Sequence, residues 1–356
     1  MCYFCRVKIH EFYLSRCLEL AKKGRGSTAP NPSVGAVVAG PGGILGEGFT
    51  SAYGGPHAEV NAIRGVSDPE RLKEATLYVT LEPCNHHGKT PPCTDLILQM
   101  GIPRVVIGLQ DPHALVDGSG IARLRGAGCE VITGVLEGAC AEHHRRFLTF
   151  HREKRPYIIL KWAQTSDGYL APEPAARQGE PAPVWITGPR SRQLVHKWRS
   201  EEQAILVGTQ TVLADNPGLD TRHWHGKNPL RILWDRQLQV PTDYRIYDNR
   251  AETWVIHGQE SAEKAPAHVT YLALGREADP LGALMRELHA RNIQSLIVEG
   301  GARTLETFLQ RRLWDEARVF TGPVTFGKGL PAPQVKGRLT ATRKVGQDRL
   351  DSWRRE

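Results

Sequence analysis

Three side chains suited to holding a transition metal stand at His57, Cys84 and Cys93, and a carboxylate, Glu59, follows the histidine by two positions. A hydrolytic zinc site needs three protein ligands and one position open to water. One imidazole and two thiolates supply the three. The metal lowers the pKa of its water so that hydroxide forms near neutral pH. A carboxylate must then shuttle protons without joining the ligand set, and Glu59 can share the first turn of a helix with His57 and face the same pocket. The two cysteines are set in VTLEPCNHHGKTPPCTDLI, each after a proline. A zinc ribbon or a thioredoxin-like site would put two residues between them. Here eight polar, basic, turn-prone residues intervene and must occupy space beside the metal.

These residues need elements to position them. Apolar spacing in residues 10–23 predicts a helix stopped by Gly24, and TAPNPSVGAVVAGPGGILGEGF predicts loop, strand, glycine turn and strand. PHAEVNAI predicts a helix with His57 and Glu59 at its start, and ATLYVTLEP a strand that ends just before Cys84. TPPCTDLILQMG opens a helix with Cys93 in its first turn. RVVIGLQDP then reads as a strand, IARLRGAG as a short helix and CEVITGV as a further strand. Strands alternating with helices imply an α/β layered domain. A basic helix over 141–156 runs into Pro156 and marks the junction, giving domains 1–150 and 151–356. The second half repeats the pattern. YIILKWA, AILVG, LRILWD, TWVIHG, SLIVEGG and EARVFTGPV predict strands; WITGPRSRQLVHKWRS and ARTLETFLQRRLWD predict helices. The Pro- and Ala-rich loop 171–183 is expected to be mobile, and the periodicity fades beyond about residue 335.

Composition limits the function classes. The 356 residues suffice for two cores. The net charge of +8 is scattered, with no basic run of five or six, which argues against nucleic acid and leaves an anionic small substrate such as a phosphate ester. Seven cysteines, none beyond Cys140, do not make a disulfide framework; reduced cytosolic thiols fit better. No apolar run approaches the ~18 residues of a membrane span, and the N-terminus lacks a signal-peptide core. The chain is expected to be cytoplasmic. Cys2 and Cys5 form a CxxC with no matching pair and are read as an incidental extension.

Each metal candidate alone has a plainer reading. His57 would be a loop histidine, and the cysteines small buried apolar groups. A structural zinc with His86 or His87 as fourth ligand is a further alternative. Jointly, with Glu59 and the Pro before Cys84, the residues follow the H-x-E…P-C…C pattern of zinc nucleobase deaminases, with eight residues between the cysteines in place of two.

HAEVNAI with TLEPCNHHGKTPPCTDLI resembles the bifunctional riboflavin-biosynthesis deaminase–reductase family (RibD/RibG). The resemblance continues through ELAKKGRGSTAPNPSVGAVV and IGLQDP. It resumes as YIILKWAQTSDGYLA, WITGPRSR, AILVGTQTVLADNPGL and IVEGGARTLE, covering about residues 11–330. It implies a cytidine-deaminase-like three-layer N-terminal domain and a dihydrofolate-reductase-like C-terminal domain. It also implies two successive reactions. The first is zinc-dependent deamination of 2,5-diamino-6-(5-phosphoribosylamino)pyrimidin-4(3H)-one, with one zinc per chain on His57, Cys84 and Cys93 and Glu59 carrying protons. The second is NADPH-dependent reduction of the ribosyl group of the product to ribityl.

The resemblance assigns further residues one at a time. Asn31, His86, Lys89 and Asp111 would line the deaminase pocket, with the Lys89 ammonium suited to a ribose phosphate. Arg199, Leu219, Arg222 and Glu299 match substrate positions of the reductase, the arginines offering forked donors to a phosphate. Gln164, Trp185, Thr211 and Asp215 match cofactor positions, as do Gly301, Ala302, Arg303, Thr304, Leu305, Glu306 and Thr307. Read from the residues alone, IVEGGARTLE is a strand, two glycines and a helix, which offers backbone N–H groups to a phosphate. No GxGxxG follows a first strand, so a Rossmann reading fails. The chain departs from common family choices at Thr50, His113, Gln164, Pro183 and Arg236. The expected partner is a phosphorylated pyrimidine, with no nucleic acid and no membrane, and a homo-oligomer is compatible with this. The competing readings are an RNA-editing zinc deaminase, a non-catalytic zinc-stabilised binding module, and a deaminase whose reductase half is degenerate.

Overall fold

The computed structural model describes residues 3–87, 91–113, 116–177, 179–260 and 266–356, the side chains of 3–7 excepted. The chain forms two compact units, 1–154 and 155–356. The division falls a few residues beyond the boundary read from the sequence, because the basic helix runs on to Glu153 before the chain turns into a strand. No helix among the described residues is long and apolar enough to cross a membrane.

The first unit runs α1 (Tyr3–Ala21), β1 (Gly35–Gly40), β2 (Gly43–Phe49), α2 (Ala58–Arg64), β3 (Thr76–Val79), α3 (Cys93–Gln99), β4 (Arg104–Ile107), α4 (Ser119–Gly126), β5 (Glu130–Thr133) and α5 (Glu137–Glu153). Its sheet has the order β2-β1-β3-β4-β5. β1 is antiparallel to β2 and β3, while β3, β4 and β5 are parallel and joined by α3 and α4 as crossovers. The inner strands β1 and β3 are buried almost throughout because both of their faces are covered, while the edge strands β2 and β5 carry Glu47 and Glu130. Ala36, Val38, Leu77, Val79, Val105 and Ile107 face a core shared with α2, α3, α4 and α5. Val37, Ala39, Tyr78 and Val106 face Leu14, Cys17 and Leu20 of α1. This alternation builds three layers. α1 starts earlier than the periodicity predicts, since nothing in residues 3–9 breaks a helix. Cys2 and the Cys5 side chain lie outside the described residues.

The second unit runs β6 (Tyr157–Gln164), β7 (Tyr169–Pro172), α6 (Pro189–Glu201), β8 (Ala204–Gly208), α7 (Thr209–Asp215), β9 (Leu230–Trp234), β10 (Thr253–Ile256), β11 (Val269–Leu272), α8 (Pro280–Ala290), β12 (Ser295–Gly300), α9 (Ala302–Gln310), β13 (Glu316–Thr321), β14 (Gly329–Pro331), β15 (Arg338–Val345) and β16 (Asp348–Arg354). Nine strands form one sheet in the order β11-β10-β9-β8-β12-β6-β13-β16-β15. It is parallel from β11 to β13, with β16 and β15 antiparallel at one edge. Ile158, Leu160, Leu206, Ile232 and Val298 face one core, and Ile159, Ile205, Leu233 and Ile297 the other. β12 inserts between β6 and β8, so the carboxyl ends of these three strands open together, the usual place for a ligand in a parallel sheet.

Two expectations are corrected. The tail beyond residue 335 is an ordered hairpin, β15–β16, whose β15 is exposed almost throughout and so carries no apolar alternation. Loop 171–183 is not wholly irregular: its first residues complete β7, which pairs with β14, and Arg177 forms an ion pair with Asp215 at 2.9 Å.

Candidate active sites

In the first unit the three metal candidates arrive from three places. His57 is the extended residue preceding α2, Cys84 follows β3, and Cys93 is the first residue of α3. Asn61 donates to Phe49 O at 2.8 Å and to Ser51 Oγ at 3.0 Å, tying α2 to the end of β2. Cys84 O accepts from the Thr94 N–H, and the Cys93 N–H donates to Cys84 Sγ at 3.4 Å, so the start of α3 closes on the end of β3. His57 Nδ1 lies 3.6 Å from Cys84 Sγ and 3.3 Å from Cys93 Sγ, and the three ligand atoms fall within 4.8 Å of one another.

The electrostatics suit a cation. The Cys93 thiol, and then His57, pull the Cys84 thiol down to about 4 against the opposing effect of burial. Cys93 is pushed up by its thiolate neighbour and by burial, and His57 is raised to about 9 chiefly by Cys84. Without an ion, Cys93 and His57 keep their protons beside one thiolate; a metal ion would displace both protons, and an imidazole with two thiolates is a zinc set. Among the described residues this is the cluster that fits an ion, and Glu59 is not part of it. Glu59 is 4 % exposed, and burial raises its carboxyl, as a proton carrier requires. Neither His86 nor His87 joins the cluster, so the structural zinc site with a histidine as fourth ligand is not formed.

Of the pocket candidates, Asp111 is near enough to Cys84 to feel its charge. Burial pushes the Asp111 carboxyl up to about 7, and its Oδ1 accepts from the His113 N–H at 2.8 Å. The His86 ring stacks on His113 at 6.2 Å, and His113 meets His151 of α5 edge-on at 4.7 Å. Asn31 lies half-buried in the turn before β1, its N–H donating to Thr28 O. Thr50 turns its hydroxyl onto the Val34 backbone, accepting from the N–H at 2.9 Å, which makes it a scaffold residue. Lys89 lies outside the described residues.

In the second unit Arg199 and Glu299, each read as a substrate contact, meet each other. Arg199 Nε and Nη2 donate to the two Glu299 oxygens at 2.9 and 2.8 Å. The fork that the sequence reading reserved for a phosphate is therefore engaged by a carboxylate. Sequence reasoning missed a third member, Lys161, whose Nζ stands 3.4 Å from Glu299 Oε2. β6 and β12 pair in register up to Leu160 and Val298, and the bulge after Val298 lies at Glu299. Burial alone would raise Glu299, yet Arg199 and Lys161 hold it at about 2, while burial lowers the Lys161 ammonium. A lysine inside the apolar run YIILKWA was the signal for this residue.

Of the cofactor candidates, Thr211 of α7, which follows β8, and the turn after β12 lie side by side. Gly301 precedes α9 with φ +75°, a conformation that side chains rarely adopt. A Cβ there would lie 3.3 Å from Thr211 Oγ1 and 3.4 Å from Thr304 Oγ1. Ala302 and Leu305 are buried in the core, and the Thr307 hydroxyl donates to Arg303 O. The Leu305 N–H donates to Gly301 O at 3.0 Å and opens the helical ladder, so it is the N–H groups before it that a helix start offers to a phosphate. Asp215 pairs with Arg177, and Trp185 is half exposed beneath the Arg192 guanidinium at 4.5 Å. Gln164 Oε1 accepts from Trp162 Nε1 at 3.1 Å. Leu219 is buried with φ +51°, and Arg222 pairs with Asp220. Arg236 donates to Gly275 O, and Pro183 is exposed.

Residues 7–109 match the model of the cytidine and deoxycytidylate deaminase zinc-binding region, and residues 156–350 match that of the RibD C-terminal domain. The chain is 42 % identical over 328 residues to riboflavin biosynthesis protein RibD of Aquifex aeolicus, covering 91 % of this chain and 89 % of that one. It is 38 % identical to the Escherichia coli protein of the same name over 367 residues, 95 % and 97 % of the two chains. A crystal structure from Thermotoga maritima, described as a diaminohydroxyphosphoribosylaminopyrimidine deaminase/5-amino-6-(5-phosphoribosylamino)uracil reductase, superposes with a TM-score of 0.89 at 38 % identity over 99 % of this chain and all of that one. The deaminase-like unit and the dihydrofolate-reductase-like unit are thus both present, and the matches span both halves, unlike the RNA-editing alternative. On both its sequence and its fold, the chain belongs to the RibD family of riboflavin biosynthesis proteins.

Proposed function

We propose that the chain is a bifunctional enzyme of riboflavin biosynthesis that deaminates 2,5-diamino-6-(5-phosphoribosylamino)pyrimidin-4(3H)-one and then reduces the ribosyl group of 5-amino-6-(5-phosphoribosylamino)uracil to ribityl. The observation that carries this reading is the convergence of His57, Cys84 and Cys93 with Glu59 buried beside them but outside the ligand set. Bound by these three residues, one zinc supplies a Lewis acid that makes water nucleophilic near neutral pH. Glu59 takes a proton from the attacking water and passes it to the amino group, which leaves as ammonia. Asn31, His86, Lys89 and Asp111 hold the pyrimidine and its phosphate.

NADPH, when bound to the second unit, would supply the hydride for C1′ of the ribose. The N–H groups at the start of α9 bind its phosphate, with Gln164, Trp185, Thr211 and Asp215 around it. Lys161 Nζ holds a proton beside Glu299 and delivers it to the ring oxygen as the ribose opens, which completes the reduction. Glu299 and Arg199 fix that ammonium, and Leu219 and Arg222 stand on the substrate side. The substrate is a small phosphorylated pyrimidine in the cytoplasm, and neither nucleic acid nor a membrane takes part.

The test is ammonia release by the zinc-loaded protein and by Glu59→Gln. The variant keeps its zinc, because the carboxylate is not a ligand, and loses ~10²-fold or more in rate, the scale of a lost proton carrier. Near-parental ammonia release by Glu59→Gln would remove this residue from the mechanism.

A further inference from the structure

Glu82 lies between β3 and Pro83, two residues before Cys84, and is 4 % exposed. Among the described residues no ammonium or guanidinium pairs with it. Its carboxylate instead accepts four backbone N–H groups. Oε2 takes those of Asp111 at 3.2 Å and Gly118 at 3.1 Å, and Oε1 takes those of Gly120 at 3.0 Å and Ile121 at 3.1 Å. Its own N–H donates to Leu109 O at 2.9 Å.

A carboxylate placed only to cap α4 would need no more than the donors of the first turn. Here one oxygen also reaches Asp111, on the segment that follows β4. Asp111 is 7 % exposed and near enough to Cys84 to feel its charge. Just beyond Cys84, Asn85 Oδ1 accepts from Thr94 Oγ1 and from Arg123, each at 3.0 Å, joining α3 to α4. The metal ligand is thus flanked on both sides by residues that stitch neighbouring segments to the end of β3.

We infer that Glu82 is a positioning residue for the deamination: it fastens the segment carrying Asp111 to the strand end carrying Cys84, and so fixes one wall of the substrate pocket relative to the metal. The inference rests on the deaminase reading above. Charged acceptors make the stronger hydrogen bonds of proteins, and an amide in this place would turn a donor toward N–H groups.

The test is binding of the diaminopyrimidine phosphate, measured by calorimetry on zinc-loaded full-length protein made inactive by Glu59→Gln. In that background Glu82→Gln weakens binding by about tenfold, with zinc content and NADPH oxidation by the other unit unchanged. Added to Asp111→Ala, Glu82→Gln costs nothing more, because it acts through Asp111. Should Glu82→Gln be insoluble, Gly118→Ala strains the left-handed residue (φ +83°) held by the same carboxylate and gives the same pattern. Unchanged affinity, an equal loss with and without Asp111, or loss of zinc would each overturn the positioning role. A Glu59→Gln protein that binds no substrate even with Glu82 intact would overturn the deaminase reading itself.

Discussion

Cys93 is the buried member of the metal cluster, and replacing its sulfur by a hydroxyl removes one of two thiolates from a three-residue set. Cys93→Ser should lose most of its zinc by metal analysis; full retention would contradict the assignment. Lys161 permits a prediction with a sign. Burial lowers its ammonium below the ordinary lysine value of about 10.4. The group is charged below its lowered pKa and neutral above it, so a proton delivered from Nζ is lost as pH rises. NADPH oxidation with deaminated substrate should therefore decline on the alkaline side before the ordinary lysine range is reached. Lys161→Met should be slow at every pH and lack that limb. A limb that persists in Lys161→Met would assign the proton elsewhere. The zinc residues were legible because His57 and Glu59 are local to one helix start and each cysteine follows a proline. The Arg199–Glu299 pair joins residues 100 positions apart, a separation across which charge and spacing carry no signal.

At the scale of elements, strands buried on both faces were legible as short apolar runs, and α9 as a helix opened by two glycines. The helix α8 has Leu281, Leu284, Met285 and Leu288 buried on one face, at the i, i+3, i+4, i+7 spacing of an amphipathic helix. β15 was illegible for a physical reason: an exposed edge strand has no core face to mark it. The start of α9 carries the cofactor prediction. Gly301→Val places a β-branched side chain at φ +75°, at a cost of about 1–3 kcal/mol, and sets atoms beside Thr211 and Thr304 where a phosphate must approach. This variant should bind NADPH far more weakly by fluorescence titration while releasing ammonia at the parental rate. Parental NADPH affinity would mean that the phosphate lies elsewhere.

At the scale of the molecule, each unit has its own sheet covered on both faces, and one family model matches within each. The departures at Gln164 and Pro183 leave a degenerate reductase half as one alternative on the sequence alone. The Lys161–Glu299–Arg199 group and the open turn at Gly301 argue for a working one. The most direct test is incubation of the zinc-loaded chain with 2,5-diamino-6-(5-phosphoribosylamino)pyrimidin-4(3H)-one, with and without NADPH, followed by mass spectrometry. Without NADPH the account predicts a product in which one amino group has become a carbonyl oxygen; with NADPH the same product gains two hydrogens on the ribose. Unchanged substrate in both samples, or deaminated product that never takes up hydrogen, would contradict it.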